Sequence, residues 1–170
     1  MKLENILENE QYVLYVDLDG VMADLHSYVE KVIGRKIETK EDGNWVNDDV
    51  IWDELRAKNE PQFDKLELLP DAMKLWDFIV EHKPNILTAT GTPEEQNAEM
   101  KRTFVKDKLH GYDKIHTVKG SKLKAQFAKP NHILIDDRKK STVPWEEAGG
   151  IAILHTSADE TIEELKKLGF

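Results

Sequence analysis

The sequence of 170 residues has no cysteine, which excludes a disulfide framework, a thiolate metal site and cysteine-based nucleophilic catalysis. Nor does it have an apolar run long enough to span a bilayer, and Met1-Lys2-Leu3-Glu4-Asn5 lacks the basic patch and apolar stretch of a secretory leader. These absences lead us to expect a soluble, cytoplasmic protein with no membrane partner. Positive charge is scarce: 24 lysines and arginines face 33 acids, for a formal net charge of -9. Broad, sequence-independent nucleic-acid binding needs a basic face that neutralises phosphates, so no extended nucleic-acid partner is expected. Small basic groups remain. Lys119, Lys122, Lys124 and Lys129 form one, and Lys101 with Arg102 form another on a separate helix. The six histidines, His26, His82, His110, His116, His132 and His155, show no zinc-ligand spacing. The glycines form neither a dinucleotide loop nor a Walker loop, and no Gly/Ser linker or low-complexity tract divides the chain.

What the chain does have is alternation. Apolar runs at 12–17, 85–88, 114–118, 132–136 and 151–155 are separated by amphipathic stretches. The pattern predicts an α/β fold, a five-stranded parallel sheet flanked by helices, built on one core of ordinary domain size. Ligands of such sheets bind beyond the carboxyl ends of the strands, which is where Asp17, Thr88 and Asp136 fall. Thr92-Pro93-Glu94-Glu95 marks a helix start, with a capping threonine, proline at the first helical position and a capping-box glutamate. The unpaired N–H groups of that turn would help hold a phosphate beside Thr88. Ser157-Ala158-Asp159-Glu160 marks the last helix in the same way. Between Asp24 and Pro84 the alternation stops. Helical spacing from Val50 to Leu55 and from Asp71 to Val80 predicts a small helical insertion, leaving from the end of the first strand and sitting over the carboxyl edge of the sheet. The expected division is residues 1–23 and 81–170 as the core and 24–80 as an inserted cap, with Glu41-Asp42-Gly43-Asn44 an ordinary turn inside it.

The most telling run is Tyr12-Val13-Leu14-Tyr15-Val16-Asp17-Leu18-Asp19-Gly20-Val21, in which an apolar strand delivers two carboxylates and a glycine then turns the chain. Asp and Gly often do no more than end a strand. Here, however, further runs follow in order. Pro84-Asn85-Ile86-Leu87-Thr88-Ala89-Thr90-Gly91 is a strand ending in hydroxyls. Asn131-His132-Ile133-Leu134-Ile135-Asp136-Asp137-Arg138 is a strand ending in two acids, with Ser121-Lys122-Leu123-Lys124 just upstream. Together these resemble the four motifs of the haloacid dehalogenase (HAD) superfamily of phosphatases. The resemblance implies a Rossmann-like core with a cap after the first strand, and a site in which Asp17 is the nucleophile and Asp19 the general acid/base. It further implies magnesium, held by Asp17, the backbone carbonyl of Asp19 and Asp137 with Asp136 in support. A phosphate would be bound by the Thr88 hydroxyl, by backbone N–H groups from Ala89 onward, and by a lysine. Lys124, opening the helix towards the last motif, fits that place best, and Lys122 is the alternative.

Val21-Met22-Ala23-Asp24, Leu68-Leu69-Pro70-Asp71-Ala72 and Leu134-Ile135-Asp136-Asp137-Arg138 narrow the resemblance to the 5'(3')-deoxyribonucleotidases and their bacterial and phage relatives. The implied substrate is a small phosphorylated molecule, a (deoxy)nucleoside monophosphate. Trp45, Trp52 and Phe63 are candidates for stacking on its base, although aromatic residues in a small insertion serve equally as its core. A polynucleotide 3'-phosphatase and a non-catalytic nucleotide-binding protein of the same fold are the competing readings. The acidic charge argues against the first. The paired acids argue against the second. A homodimer is a common state for such proteins, but nothing in the sequence marks its interface.

Overall fold

The computed structural model describes residues 11–170; the expectation for Met1 to Asn5 lies outside them. Five strands, β1 (Val13–Val16), β2 (Asn85–Ala89), β3 (Ile115–Val118), β4 (His132–Asp136) and β5 (Ile151–Leu154), form one sheet in the order β3-β2-β1-β4-β5. Every pairing is parallel, as the alternation predicts. Side chains alternate across a strand. Leu14, Val16, Ile133 and Ile135 therefore pack into a large core on one face, while Tyr15, Leu87 and Leu134 join Trp145 in a smaller core on the other. Burial on both faces is why these strands read as unbroken apolar runs. Register sets the site. Val16 stands level with Ile86 of β2 and Ile135 of β4, so the next residue, Asp17, emerges beside Asp136.

The helices are α1 (Leu25–Ile33), α2 (Asp48–Ala57), α3 (Ala72–Ile79), α4 (Glu94–Lys108), α5 (Lys139–Glu147) and α6 (Ala158–Lys167). Asp24 caps α1 by accepting from the Ser27 N–H at 3.0 Å, and Gly34 ends the helix in the left-handed region. Ser157 caps α6 as its sequence predicts. The start of α4 differs from expectation. Pro93 is extended at ψ 128°, so the helix begins one residue later at Glu94 and no side chain caps it.

Residues 24–80 hold α1, α2 and a short 3-10 turn at Phe63–Lys65 before α3. The helix α3, however, packs along α6 in the layer that flanks the sheet. The Trp76 indole donates to the His110 carbonyl at 2.9 Å, and the Asp71 carboxylate accepts from the first N–H of α6, that of Ala158, at 2.7 Å. By these contacts α3, which the expected division assigns to the inserted segment, lies with the helices that flank the sheet.

Candidate active site

The carboxyl ends of β1, β2 and β4 open into a pocket of about 340 Å³, walled on the opposite side by Trp52, Arg56 and Phe63 from the inserted segment. After β1 the chain turns tightly, the N–H groups of Met22 and Ala23 both donating to the Leu18 carbonyl at 2.8 Å. This turn brings Asp17 and Asp19 into one pocket.

Lys124 is 1% exposed, with Nζ 2.8 Å from Asp17 Oδ1 and 2.6 Å from Asp136 Oδ2. Burial alone would push its ammonium down, but the two carboxylates outweigh burial and push it up, so it stays charged. The segment carrying it, Ser121–Phe127, is a 3-10 helix rather than the expected start of an α-helix, and its register turns Lys124 inward and leaves Lys122 exposed. A second lysine reaches the site from α4. Lys101 lies 2.5 Å from Asp19 Oδ2 and is also buried. The sequence assigned it to a separate basic group. Its signal was present all the same: Asn97, Ala98, Lys101, Phe104 and Val105 form the buried stripe of α4, and a lysine in such a stripe needs a partner.

Asp17, Asp136 and Asp137 each offer a carboxylate oxygen, all within 4.8 Å of one another. Asp136 is matched by Lys124 and by the Arg138 N–H, which donates to it at 3.0 Å. Asp137 is not matched, and its Oδ1 is buried without a hydrogen-bond partner. Burial first, and then the charges of Asp136 and Asp17, push the Asp137 carboxyl well above the usual carboxylate range. An orphaned carboxylate beside two others is a donor set that could hold a hard divalent cation. Two glycines make room for Asp137 itself. A Cβ on Gly20 would lie 2.1 Å from Asp137 Oδ2, and one on Gly43 would lie 2.2 Å from the Asp137 carbonyl oxygen; both glycines have positive φ, 80° and 84°. Glu41 to Asn44 is therefore no ordinary turn. It packs on the acid pair, with the Lys139 N–H donating to the Asp42 carbonyl at 2.9 Å.

The remaining expected site residues divide between the pocket wall and the layer behind it. Thr88 has no exposed surface and its Oγ1 accepts from Lys101 at 3.2 Å, so the rim of the pocket at β2 is formed by Ala89, Thr90, Gly91 and Thr92. Trp45 is buried behind Trp52, their rings stacked 5.7 Å apart, and does not line the pocket. It also meets the His26 ring edge-on, 5.9 Å between centres, and the Arg138 guanidinium, 5.4 Å from the ring centre. Phe63 lines the pocket but turns its ring to Lys101. Among the three aromatic candidates, Trp52 alone offers a partly exposed ring.

No protein-family model matches the chain, and no curated protein matches it in sequence. Solved structures do share its fold. A hydrolase from Streptococcus pneumoniae TIGR4 superposes with a TM-score of 0.53 at 15% identity, over 92% of this chain and 99% of the other. A predicted phosphatase from Clostridium acetobutylicum superposes with a TM-score of 0.50 at 12% identity, over 92% and 99%. At these identities the likeness is one of fold, and it runs along nearly the whole of each chain.

Proposed function

We infer that the chain is a magnesium-dependent phosphomonoesterase of the HAD type, working through an aspartyl-phosphate. One arrangement carries this reading: Asp17 ends the central strand with Lys124 at 2.8 Å, and Asp19 shares its pocket. An oxygen of Asp17 attacks the phosphorus of the substrate, the bond to the ester oxygen breaks, and Asp19 delivers a proton to that leaving oxygen. Water then attacks the same phosphorus and gives its proton to Asp19, and the bond to Asp17 breaks to release inorganic phosphate. Lys124 balances charge on the phosphate oxygens. Asp17, Asp137 and the backbone carbonyl of Asp19 would hold the magnesium ion, with Asp136 supporting through Lys124. When bound, the ion supplies the positive charge that lets a carboxylate approach a phosphate dianion.

The substrate we propose is a (deoxy)nucleoside monophosphate. The pocket volume is of the size that small ligands occupy, and the Trp52 ring is available to stack on a base. The test is magnesium-dependent phosphate release from nucleoside monophosphates, sugar phosphates and 3'-phosphorylated oligonucleotides, for the parent and for Asp17→Asn. Mononucleotides should be hydrolysed fastest, and Asp17→Asn should be inactive yet folded. Phosphate release by Asp17→Asn at the parent's rate would remove the covalent mechanism, and a preference for oligonucleotide ends would make the protein a polynucleotide 3'-phosphatase.

A further inference from the structure

Lys101 is the least expected charge in the molecule. It occupies the centre of the buried stripe of α4, where a leucine or methionine would pack without the cost of taking an ammonium out of water. An ammonium carries three hydrogens, and Lys101 has a partner for each: Asp19 Oδ2 at 2.5 Å, the Ala89 carbonyl at 2.6 Å and Thr88 Oγ1 at 3.2 Å. The ring of Phe63 covers its remaining side, 4.3 Å from Nζ to the ring centre. None of its hydrogens is left for a phosphate oxygen.

We propose that Lys101 is a positioning residue: anchored to β2 through Thr88 and Ala89, it holds Asp19 by Oδ2 and so orients the other carboxyl oxygen, which carries the proton to the leaving oxygen. This rests on the phosphatase reading above. Asp19 needs such a support because it follows the end of β1, on a turn, and its side chain is 20% exposed. Lys124 fixes the nucleophile in the same manner from the other side of the sheet. Each acid of the pair thus has its own buried lysine, and the two lysines come from different elements, so their effects are separable by mutation.

A positioning role predicts dependence on the leaving group. An alkoxide needs the proton, whereas a nitrophenolate leaves without it. In single-turnover measurements of the first step, Lys101→Met should slow the release of glycerol from glycerol phosphate by about a hundredfold, within the range of general acid catalysis, and leave the release of nitrophenolate from para-nitrophenyl phosphate within about threefold; the water step, which also uses Asp19, comes after both. The inhibition constant of inorganic phosphate should stay within about twofold, and in an Asp19→Asn background Lys101→Met should add no more than about twofold. If Lys101→Met does not fold, Lys101→Arg and Lys101→Gln decide by the same ratio of the two esters. Equal losses on both esters, a much weaker inhibition by phosphate, or a full further loss in the Asp19→Asn background would each overturn the assignment. A parent protein that hydrolyses neither these esters nor a nucleoside monophosphate would overturn the phosphatase reading and this inference with it; a parent active on both esters, with equal losses in the variant, overturns this inference alone.

Discussion

At the scale of single residues, the stacked tryptophans divide into a wall and its backing. Trp52→Ala should raise KM for a nucleoside monophosphate by about tenfold, the lower part of the range for base stacking, and spare para-nitrophenyl phosphate. Steady-state kinetics on the two substrates check this, and equal losses would reduce Trp52 to packing. Trp45→Ala should instead cost stability, about 3–5 kcal/mol for a buried aromatic truncated to alanine, read from denaturant midpoints. Asp137 has the opposite sign. Because its carboxylate is buried among like charges, Asp137→Asn should raise the melting temperature of the metal-free protein, and a lower value would show that the repulsion is already relieved by other means. The paired acids were legible because they end apolar runs, and Lys124 because it sits just before the last one. The Asp19 partner was not: Lys101 is 82 residues away in sequence, and only the helical period of its own stripe marks it as buried.

At the scale of elements, strands were readable because the sheet is covered on both faces, so that each strand is an unbroken apolar run between amphipathic stretches. The start of α4 was misread by one position because a proline's ring fixes φ and leaves ψ free to be extended. The position of α3 was obscured for a different reason. The α3 segment has the same amphipathic spacing whether it covers the site or flanks the sheet, and its place is visible only in its contacts with α6 and His110. The junction of β5 and α6 also carries a pH dependence. His155 lies buried with Nδ1 2.7 Å from Thr161 Oγ1, and burial lowers its pKa from 6.5, against a smaller opposing pull from Asp71. The folded state thus favours neutral imidazole, while the unfolded chain takes up a proton near its ordinary value. The contribution to stability is present above pH 6.5 and is lost as pH falls below it. Denaturant midpoints on either side of that pH should show the loss in the parent and a flatter profile in His155→Gln; parallel profiles would remove His155 as the cause.

At the scale of the molecule, magnesium should act as part of the fold. A ligand that binds only the native state stabilises it by about 2.7 kcal/mol at a hundred times its Kd. For a domain of this size that is roughly 5–10 °C in Tm, reversed by a chelator and absent in Asp137→Asn. A Tm that does not respond to magnesium in the parent would remove the metal site. None of the helices among the described residues is long and apolar enough to cross a membrane. The two glycines that close on Asp137 bear on how this architecture can be rebuilt. One belongs to the turn after β1 and the other to the inserted segment, and neither has space for a single methyl group. A graft that exchanges residues 24–69 for a foreign cap would have to carry a glycine with positive φ to the place of Gly43. Without it the incoming segment would press the Asp136-Asp137 loop out of position, and the chimera would fail at that loop even with every core residue unchanged.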